Sequence, residues 1–106
     1  MKKTPARIDP RALQARAGEV ADLLRALSND RRLLILCKLV EEGEATVGSL
    51  ADDVGLSQSA LSQHLARMRD EGIVAFRRDA QTMWYRIADS RIETLLATLH
   101  RLYCRN

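Results

Sequence analysis

A block at residues 47–69 constrains this sequence more than any other, because two short amphipathic segments meet there at a glycine. Gly55 falls where the chain must turn sharply, and a left-handed backbone is easiest for glycine. Ala51 is small enough to let two helices cross closely. The internal packing is supplied by Leu50, Val54, Leu56, Leu61 and Leu65. The pattern therefore predicts a short helix, a turn and a longer helix from about Gln58 to Gly72, which is a helix-turn-helix.

The exposed face of the second helix is rich in short hydrogen-bonding groups. Ser57 can cap this helix, because its hydroxyl can accept a hydrogen bond from a free amide of the first turn. Serine and glutamine can read base edges in the major groove, and arginine or histidine can meet phosphates or guanine. A solvated helix face normally mixes Glu and Lys, whereas residues 57–67 contain no acidic residue. The sequence therefore favours DNA binding over an ordinary solvated face, through Ser57, Gln58, Ser59, Ser62, Gln63, His64 and Arg67.

Two segments rich in β-branched and aromatic residues follow the helix-turn-helix. They are "IVAFRR" and "TMWYRIA", separated by "DAQ", and they predict a hairpin. A hairpin in this place would be a wing that touches the DNA backbone or minor groove. The residues expected near its tip or edge are Arg77, Arg78, Gln81 and Arg86. The alternative for any one of them is ordinary edge-strand charge that discourages aggregation. Phe76 and Trp84 are expected to pack from the wing onto the core rather than to contact DNA.

Three further helices are indicated by apolar residues at spacings of three and four. The first begins near Arg11 and carries the stripe Leu13, Ala17, Val20, Leu24 and Leu27. Asn29 or Asp30 can cap the second helix, which ends at Gly43 and carries Leu33, Leu36, Cys37 and Val40. The last helix carries Ile92, Leu95, Leu96, Leu99, Leu102 and Tyr103.

The predicted elements combine into a mainly α fold with a small β-hairpin (α+β), a winged helix-turn-helix. A chain of 106 residues can bury one modest core. We therefore expect a single domain at residues 10–106, preceded by a flexible basic arm at residues 1–9. The formal charge of +3 permits an anionic partner such as DNA. No apolar run approaches the length of a membrane span and no secretory signal is visible, so a cytoplasmic protein without a membrane partner is expected.

The stretch from Ala26 to Ile87 resembles the ArsR-type (ArsR/SmtB) winged-helix repressors, and "LSQSALSQHL" is its most specific part. The resemblance implies a homodimer in which the first and last helices pair, bound to double-stranded operator DNA of two-fold symmetry. The apolar stripe of the last helix supports pairing independently, since it would be costly to leave exposed on so small a domain. Half-sites would lie about one DNA turn, roughly 34 Å, apart. The expected interface comprises Leu13, Val20, Leu24, Leu95, Leu99, Leu102 and Tyr103.

Many members of this family sense metals, and the resemblance implies two places to look for ligands. On the helix before the turn, where such members place cysteines, this chain has Thr46, Val47 and Gly48. At the last helix, Asp89 is followed two positions later by Arg91, and an arginine cannot act as a metal ligand. We therefore predict no metal site and no cofactor. A metal- or metalloid-responsive repressor stays open as an alternative.

The chain has two cysteines, Cys37 in "LLILCKL" and Cys104 in "LHRLYCRN". This pairing resembles the persulfide-sensing, BigR/SqrR/HlyU-like branch of the family. The resemblance implies that reactive sulfur species or other oxidants join the two thiols by a disulfide or a longer sulfur bridge, which releases the repressor from DNA. If both cysteines are structural instead, the chain is a constitutive DNA-binding factor. A thiol enzyme is not expected, because no base and orienting pair accompanies either cysteine.

The two thiols differ in their expected surroundings. Cys37 shares the apolar stripe of its helix, so core packing is the alternative to a sensing role. Cys104 falls roughly 120° to 140° from the centre of the last stripe, by the 3.6-residue period, and has His100, Arg101 and Arg105 close by. A cationic, partly exposed setting raises the reactive thiolate fraction. Cys104 is therefore predicted to be the more reactive thiol and Cys37 the more shielded one.

Overall fold

A computed structural model of the chain describes residues 8–104, which form five helices and three short strands. In chain order the elements are α1 (Pro10–Leu27), α2 (Asp30–Glu42), β1 (Ala45–Thr46), α3 (Val47–Val54), α4 (Gln58–Asp70), β2 (Val74–Asp79), β3 (Thr82–Ile87) and α5 (Ser90–Tyr103). This order confirms the predicted α+β winged helix-turn-helix. Of the predicted basic arm, residues 1–7 lie outside the described residues. Within residues 8–104 no helix is both long and apolar enough to cross a membrane.

Side-chain caps set the starts of two helices that position the candidate site. Asn29, rather than Asp30, caps α2, and its side-chain oxygen accepts hydrogen bonds from the amides of Arg31 and Arg32 at 2.9 and 3.1 Å. Ser57 caps α4 as predicted, with its Oγ accepting from the Ala60 amide at 3.1 Å. Each cap satisfies amides that have no partner within the helix. The start of α4 is therefore fixed by its own sequence.

Glycines end the two helices that precede α4. Gly43 and Gly55 follow α2 and α3 with φ angles of 82° and 72°, a region that residues with a side chain rarely adopt. Both ends agree with the predicted stops. α4 itself ends at Asp70, slightly before the expected stop at Gly72. The turn at Gly55 thus holds α3 and α4 in the helix-turn-helix arrangement.

A third strand joins the predicted hairpin. β2 and β3 pair antiparallel from Val74 opposite Ile87 to Asp79 opposite Thr82, and the turn between them is formed by residues 80 and 81. β1 pairs with the other edge of β3, so the strand order is β1-β3-β2. With only two residues, β1 carries no alternation that a sequence pattern could detect. It fastens the base of the wing to the junction between α2 and α3.

α2 runs through the centre of an aliphatic core. Ile35, Leu36 and Leu39 of this helix are at most 1% exposed. The other buried core residues are Leu27, Ala45, Leu50, Ala51, Val54, Leu61, Leu65, Met68, Ile73, Val74, Tyr85, Ile87, Ile92 and Leu96. Of the residues expected to pack the helix-turn-helix internally, Leu56 alone is half-buried rather than buried. Within residues 8–104 no polar or charged side chain is buried, so apolar packing holds α3 and α4 in place.

The two faces of the sheet differ, and the difference corrects one prediction. Phe76 and Tyr85 are cross-strand partners with ring centres 5.4 Å apart, and Phe76 packs against the core. Side chains alternate along a strand, so Trp84 lies on the opposite, outer face. The guanidinium of Arg77 covers its ring there at 5.7 Å. The prediction that Phe76 packs from the wing onto the core is confirmed, and the same prediction for Trp84 is wrong.

α1 stands apart from the rest of the molecule. Every residue from Pro10 to Asp22 is exposed, and Leu27 is the one fully buried residue of the helix. The Cα radius of gyration is 15.9 Å, whereas about 13 Å is expected for a compact chain of this length. α1 therefore projects from the core, and most of its surface has no partner within the described part of the chain.

Candidate DNA-binding surface and thiol groove

α4 presents the polar face of the helix-turn-helix to solvent. Leu61, Leu65 and Met68 are fully buried and anchor one side of the helix on the core. His64 is half-buried at the edge of the opposite side. The other predicted DNA-binding residues of this helix and its cap are all exposed, namely Ser57, Gln58, Ser59, Ser62, Gln63 and Arg67. The structure thus brings these predicted residues onto one accessible face.

The carboxylate of Glu71, the residue whose backbone amide caps the end of α4, is engaged by an arginine. Glu71 accepts two hydrogen bonds from Arg32, with Nη1–Oε1 and Nη2–Oε2 distances of 2.8 and 3.0 Å. The hydrogen bonding by Arg32 lowers the pKa of the Glu71 carboxyl. Arg32 also donates to the Ala26 carbonyl at 2.9 Å. It therefore connects the end of α1, the start of α2 and the end of α4.

Of the four predicted wing residues, Arg86 is exposed on β3, and the other three fall into two groups. Arg77 on β2 crosses the ring of Trp84 and makes two hydrogen bonds to Glu44, at 2.8 and 2.9 Å. This hydrogen bonding lowers the pKa of the Glu44 carboxyl. Arg78 and Gln81, nearer the tip, are exposed and make no side-chain hydrogen bond to any other described residue. The tip residues are therefore accessible to DNA, whereas the guanidinium of Arg77 is already engaged by Glu44 and the ring of Trp84.

The predicted dimer residues lie on α1 and along α5. Leu13 and Leu24 are each 52% exposed, and Tyr103 at the end of α5 is 81% exposed. Val20 and Leu102 are exposed as well. Leu95 and Leu99 are half-buried against the core instead. An apolar surface therefore extends over α1 and the last turn of α5.

An ion-pair network joins α1 to the start of α5. Arg91 contacts Glu19 at 2.8 Å and Asp89 at 2.7 Å, and Arg16 contacts Glu19 at 2.7 Å. Hydrogen bonds from Arg16 and Arg91 lower the pKa of Glu19 to about 2. Asp89 also caps α5 by accepting from the Arg91 amide at 2.9 Å. The two residues at the place of a family metal site thus form a helix cap and an ion pair.

Cys37 opens into a groove of about 520 Å³ between α2, α3 and α5. The lining of this thiol groove includes Leu34, Lys38, Asp53, Leu96 and His100. Both cysteines are free thiols, with Cys37 half-buried and Cys104 exposed. Cys104 lies one turn beyond His100, whose carbonyl accepts from the Cys104 amide at 2.8 Å. The thiol groove therefore leads from Cys37 along α5 toward Cys104.

The surroundings of the two thiols are unequal. Burial raises the pKa of the Cys37 thiol, and negative charge on Cys104 raises it further. Arg105, one of the cations expected beside Cys104, lies outside the described residues. Cys37 is thus the more shielded thiol, while the greater reactivity of Cys104 stays a prediction.

The described residues offer no clustered set of metal ligands. Between residues 8 and 104, no three His, Cys, Asp or Glu side chains lie close enough together to hold a metal ion. The charged groups beside Cys37 are paired instead, since Lys38 contacts Glu41 at 2.9 Å and Asp53 at 3.7 Å. Structural zinc sites use four clustered ligands, and Cys37 has no such set among residues 8–104.

Two residues that organise this surface were not singled out from the sequence. Glu44 holds Arg77, and Glu71 holds Arg32. The partners are 33 and 39 residues apart, so no helical or strand spacing indicates them. Pairing of this kind is visible only once the fold brings the side chains together.

Comparisons with known proteins agree with this architecture. The family described as "Bacterial regulatory protein, arsR family" matches residues 29–75. The HTH-type transcriptional regulator YgaV of Escherichia coli K12 is 49% identical over 92 residues, which are 87% of this chain and 93% of that protein. The transcriptional activator HlyU of Vibrio cholerae is 43% identical over 93 residues, which are 88% of this chain and 85% of that protein.

A solved structure supports the same assignment. The crystal structure of the transcriptional repressor BigR from Xylella fastidiosa matches with a TM-score of 0.84 and 37% identity, over 93% of this chain and 100% of that one. These relatives are transcription regulators, and their family is not enzymatic. The chain therefore belongs to the ArsR family and is a DNA-binding transcriptional regulator with a winged helix-turn-helix.

Proposed function

We propose that the protein is a homodimeric repressor that leaves its operator when Cys37 and Cys104 are linked by reactive sulfur species or other oxidants. The observation that carries the proposal is geometric: Cys37 opens into a groove that is also lined by His100 of α5, one turn before Cys104, and both thiols are free. One groove lies beside both α2 and α5 at this point. Within residues 8–104 no third metal ligand clusters with the two thiols, and two thiols alone suit thiol–disulfide exchange.

The exposed face of α4 would read the operator. In a helix-turn-helix the second helix lies in the major groove, with its side chains against base edges. Ser59, Ser62 and Gln63 are exposed along this face and are the base-reading candidates. Arg78 and Gln81 would meet the adjacent backbone or minor groove from the tip of the wing. The absence of acidic residues from 57 to 67 keeps this face compatible with phosphate.

A second copy of the chain would cover the apolar surface of α1 and α5. Exposed leucines such as Leu24 and Leu102 favour association, because burial removes their side chains from water. A two-fold dimer places the same surface on both partners. The two copies of α4 would then reach half-sites about one DNA turn, roughly 34 Å, apart.

The switching chemistry needs only the two thiols and a donor of sulfane sulfur. The Cys104 thiolate attacks a polysulfide, a shorter polysulfide anion leaves, and Cys104 becomes a persulfide. The Cys37 thiolate then attacks the Sγ of Cys104 and displaces hydrosulfide, which takes the electron pair. The two cysteines together have lost two electrons to the donor sulfur. A longer bridge retains further sulfur atoms between the side chains.

Such a bridge would tie the end of α5 to α2. The last turn of α5 belongs to the proposed dimer surface, whereas α2 packs in the core that supports α4. Linking these two elements would favour a relative placement of the two DNA-binding faces that differs from their placement in the reduced dimer. We therefore expect the bridged dimer to bind its operator more weakly.

The test compares operator binding before and after bridging. The reduced protein first selects an operator from a pool of random DNA duplexes, and fluorescence anisotropy then measures affinity. Inorganic polysulfide, hydrogen peroxide and glutathione disulfide are applied separately, and intact mass spectrometry reports each product. We expect bridging and loss of affinity together in the native protein, and neither in the Cys37→Ser or Cys104→Ser variants.

Three results would redirect the proposal. Unchanged affinity of a fully bridged protein contradicts the switch and favours a constitutive factor with structural cysteines. Stoichiometric metal binding by anaerobic protein, with a change in operator affinity, favours the metal-responsive alternative. In vitro transcription from the selected operator distinguishes a repressor, whose removal raises transcript levels, from an activator, whose removal lowers them.

A further inference from the structure

A helix in the major groove has a phosphate strand along each of its flanks, because the two DNA backbones border that groove. One flank of α4 faces the wing, where the Arg69 guanidinium lies 5.6 Å from the ring centre of Phe76. The other flank carries His64 and Arg67 and faces α1 and α2. The wing can therefore meet one phosphate strand, and the opposite flank must accommodate the second.

A groove of about 440 Å³ runs along this second flank, between α1, the start of α2 and α4. We call it the flank groove. Its lining includes Asp22, Arg25, Arg32, His64, Arg67 and Glu71. Arg31 is not one of the lining residues, but it precedes Arg32 in the first turn of α2, and its amide donates a hydrogen bond to the side chain of Asn29, which lines the groove, at 2.9 Å. Several cationic groups thus converge beside the polar face of α4.

The carboxylates of the flank groove are already neutralised. Asp22 contacts Arg25 at 2.7 Å, and Glu71 contacts Arg32 at 2.8 Å. Arg31 and Arg67 form no ion pair with any residue between 8 and 104. The flank groove therefore holds uncompensated positive charge, and a phosphate is an anion that arginine binds well.

We propose that the flank groove binds a backbone phosphate of the operator, with Arg31 and Arg67 as its ligands and His64 as a group that gains a proton when the phosphate binds. The proposal rests on the insertion of α4 into the major groove, which is part of the function proposed above. It adds Arg31 to the DNA-binding surface and makes operator affinity dependent on pH.

The proton uptake follows from the charges around His64. Burial lowers the pKa of its imidazole, and the positive charges of Arg67, Arg32 and Arg31 lower it further. A bound phosphate opposes these arginines and so favours the imidazolium. The groups that face His64 are Arg67 on α4, Arg31 and Arg32 on α2, the mutually paired Asp22 and Arg25 on α1, and Glu71 after α4. The protonation of His64 therefore adds to operator affinity. The added affinity is complete below the pKa that His64 has in the free protein, and it is lost as pH rises through the higher pKa that His64 has in the complex.

The first experiment removes one positive charge at a time. Arg31→Gln and Arg67→Gln are compared with Arg11→Gln, which removes an exposed arginine in the first turn of α1, outside the flank groove. Each groove variant should bind the operator roughly tenfold more weakly. The slope of log affinity against log salt should also fall by about 1. The Arg11→Gln control should retain the native affinity and slope.

The second experiment tests proton uptake by His64 through the pH dependence of operator affinity. Native protein and a His64→Gln variant are titrated with operator from about pH 5.5 to 8 at constant ionic strength, across the range where histidine titrates. The native affinity should fall as pH rises, and the variant should show a flat profile. A flat native profile, or a native-like slope in His64→Gln, overturns the role of His64.

Two controls separate this proposal from the function on which it rests. If Ser59→Ala and Gln63→Ala leave operator affinity unchanged, the docking of α4 is wrong. If they weaken binding while Arg31→Gln behaves like Arg11→Gln, only the flank groove assignment is wrong. Saturable binding of inorganic phosphate to the DNA-free protein, with operator affinity unaffected by Arg31→Gln, would assign the groove to a free anion instead.

Discussion

The region from α2 to β3 and the helices that flank it differ in how much of their surface one chain buries. In the first region, which we call the packed half, Ile35 and Leu36 of α2 and Leu61 and Leu65 of α4 are fully buried. α1 and the last turn of α5, which we call the open helices, leave apolar side chains in solvent, and Leu102 is 65% exposed. The helix-turn-helix is therefore packed within one chain, whereas the open helices leave the apolar surface that a second copy would cover in the proposed dimer.

The two cysteines lie on opposite sides of this division. Cys37 sits on α2 within the packed half, and Cys104 follows the last turn of α5. A bridge between them would join the last turn of α5, which is part of the proposed dimer surface, to the core that supports α4. Under the proposed function, thiol chemistry distant from α4 would alter DNA binding because the bridge would change the placement of the two packed halves of the dimer and leave the DNA-binding face itself unchanged.

The largest effect on stability is expected in the packed half. Leu61→Ala removes a fully buried side chain beneath α4, which should lower the free energy of unfolding by about 2–5 kcal/mol. Urea unfolding followed by circular dichroism measures the change. The volume-conserving Leu61→Met variant should lose less than about 1.5 kcal/mol. Equal, small losses in both variants would mean that α4 is not packed as tightly as the division requires.

A charge placed in the apolar surface of the open helices should leave the fold of each chain intact and abolish the dimer. Leu24→Glu places a charge in the apolar surface of α1, and the resulting monomer should bind the operator about 100-fold more weakly, because it loses the second half-site. Sedimentation velocity and anisotropy measure the two changes. Ala15→Glu adds the same charge on the opposite side of α1, by the 3.6-residue period, and should leave the dimer intact. A dimer that survives Leu24→Glu would place the interface elsewhere.

The two thiols should differ in alkylation rate by roughly tenfold or more, because burial reduces both the thiolate fraction of Cys37 and its access to reagent. Cys104 is exposed, whereas Cys37 is half-buried with a raised pKa. Iodoacetamide labelling of Cys37→Ser and Cys104→Ser variants, followed by mass spectrometry, reports each thiol alone. The difference should narrow as pH rises through the pKa of Cys37, since its thiolate fraction then increases. Equal rates at neutral pH would remove the asymmetry between the packed half and the open helices.

Local signals were sufficient to predict most of the fold. A cap such as Ser57 and a turn such as Gly55 depend on neighbouring residues, so the sequence indicates them directly. The outer position of Trp84 depends on strand register, and β1 depends on pairing with a distant strand. Neither has a local signal. The polar face of α4 was likewise predictable from the sequence, whereas the flank groove is created by helices that meet only in the folded chain.

The ion pair between Arg32 and Glu71 tests how firmly the end of α1 is held to the packed half. The two side chains are 13% and 44% exposed, so solvent screens the pair and Glu71→Gln should cost only about 0.5–1 kcal/mol at neutral pH. Because the pKa of Glu71 is lowered in the fold, this contribution is present above the unfolded-state pKa, about 4.3, and is lost as pH falls through the folded value. Urea unfolding at several pH values measures it, with the exposed Glu93→Gln as control. If the difference in unfolding free energy between the native protein and Glu71→Gln persists unchanged in acid, the ion pair is not its cause.

The smallest effect is expected at the tip of the wing, the part of the packed half that is as exposed as the open helices. Ala80 has a φ angle of 59°, and a left-handed backbone costs a residue with a side chain about 1–2 kcal/mol. Glycine avoids that cost but loses about 0.5–1 kcal/mol through its greater freedom when unfolded. Ala80→Gly should therefore stabilise the fold by about 0.5 kcal/mol, which raises the Tm by about 2–4 °C. Thermal unfolding of the dimer measures the shift, and Ala80→Val should lower the Tm because a β-branched side chain tolerates this backbone poorly.

Since the tip is held by the β2–β3 ladder, the change should appear in unfolding and leave dimer affinity unaltered. A change in dimer affinity instead would couple the wing to the open helices and break the division between them.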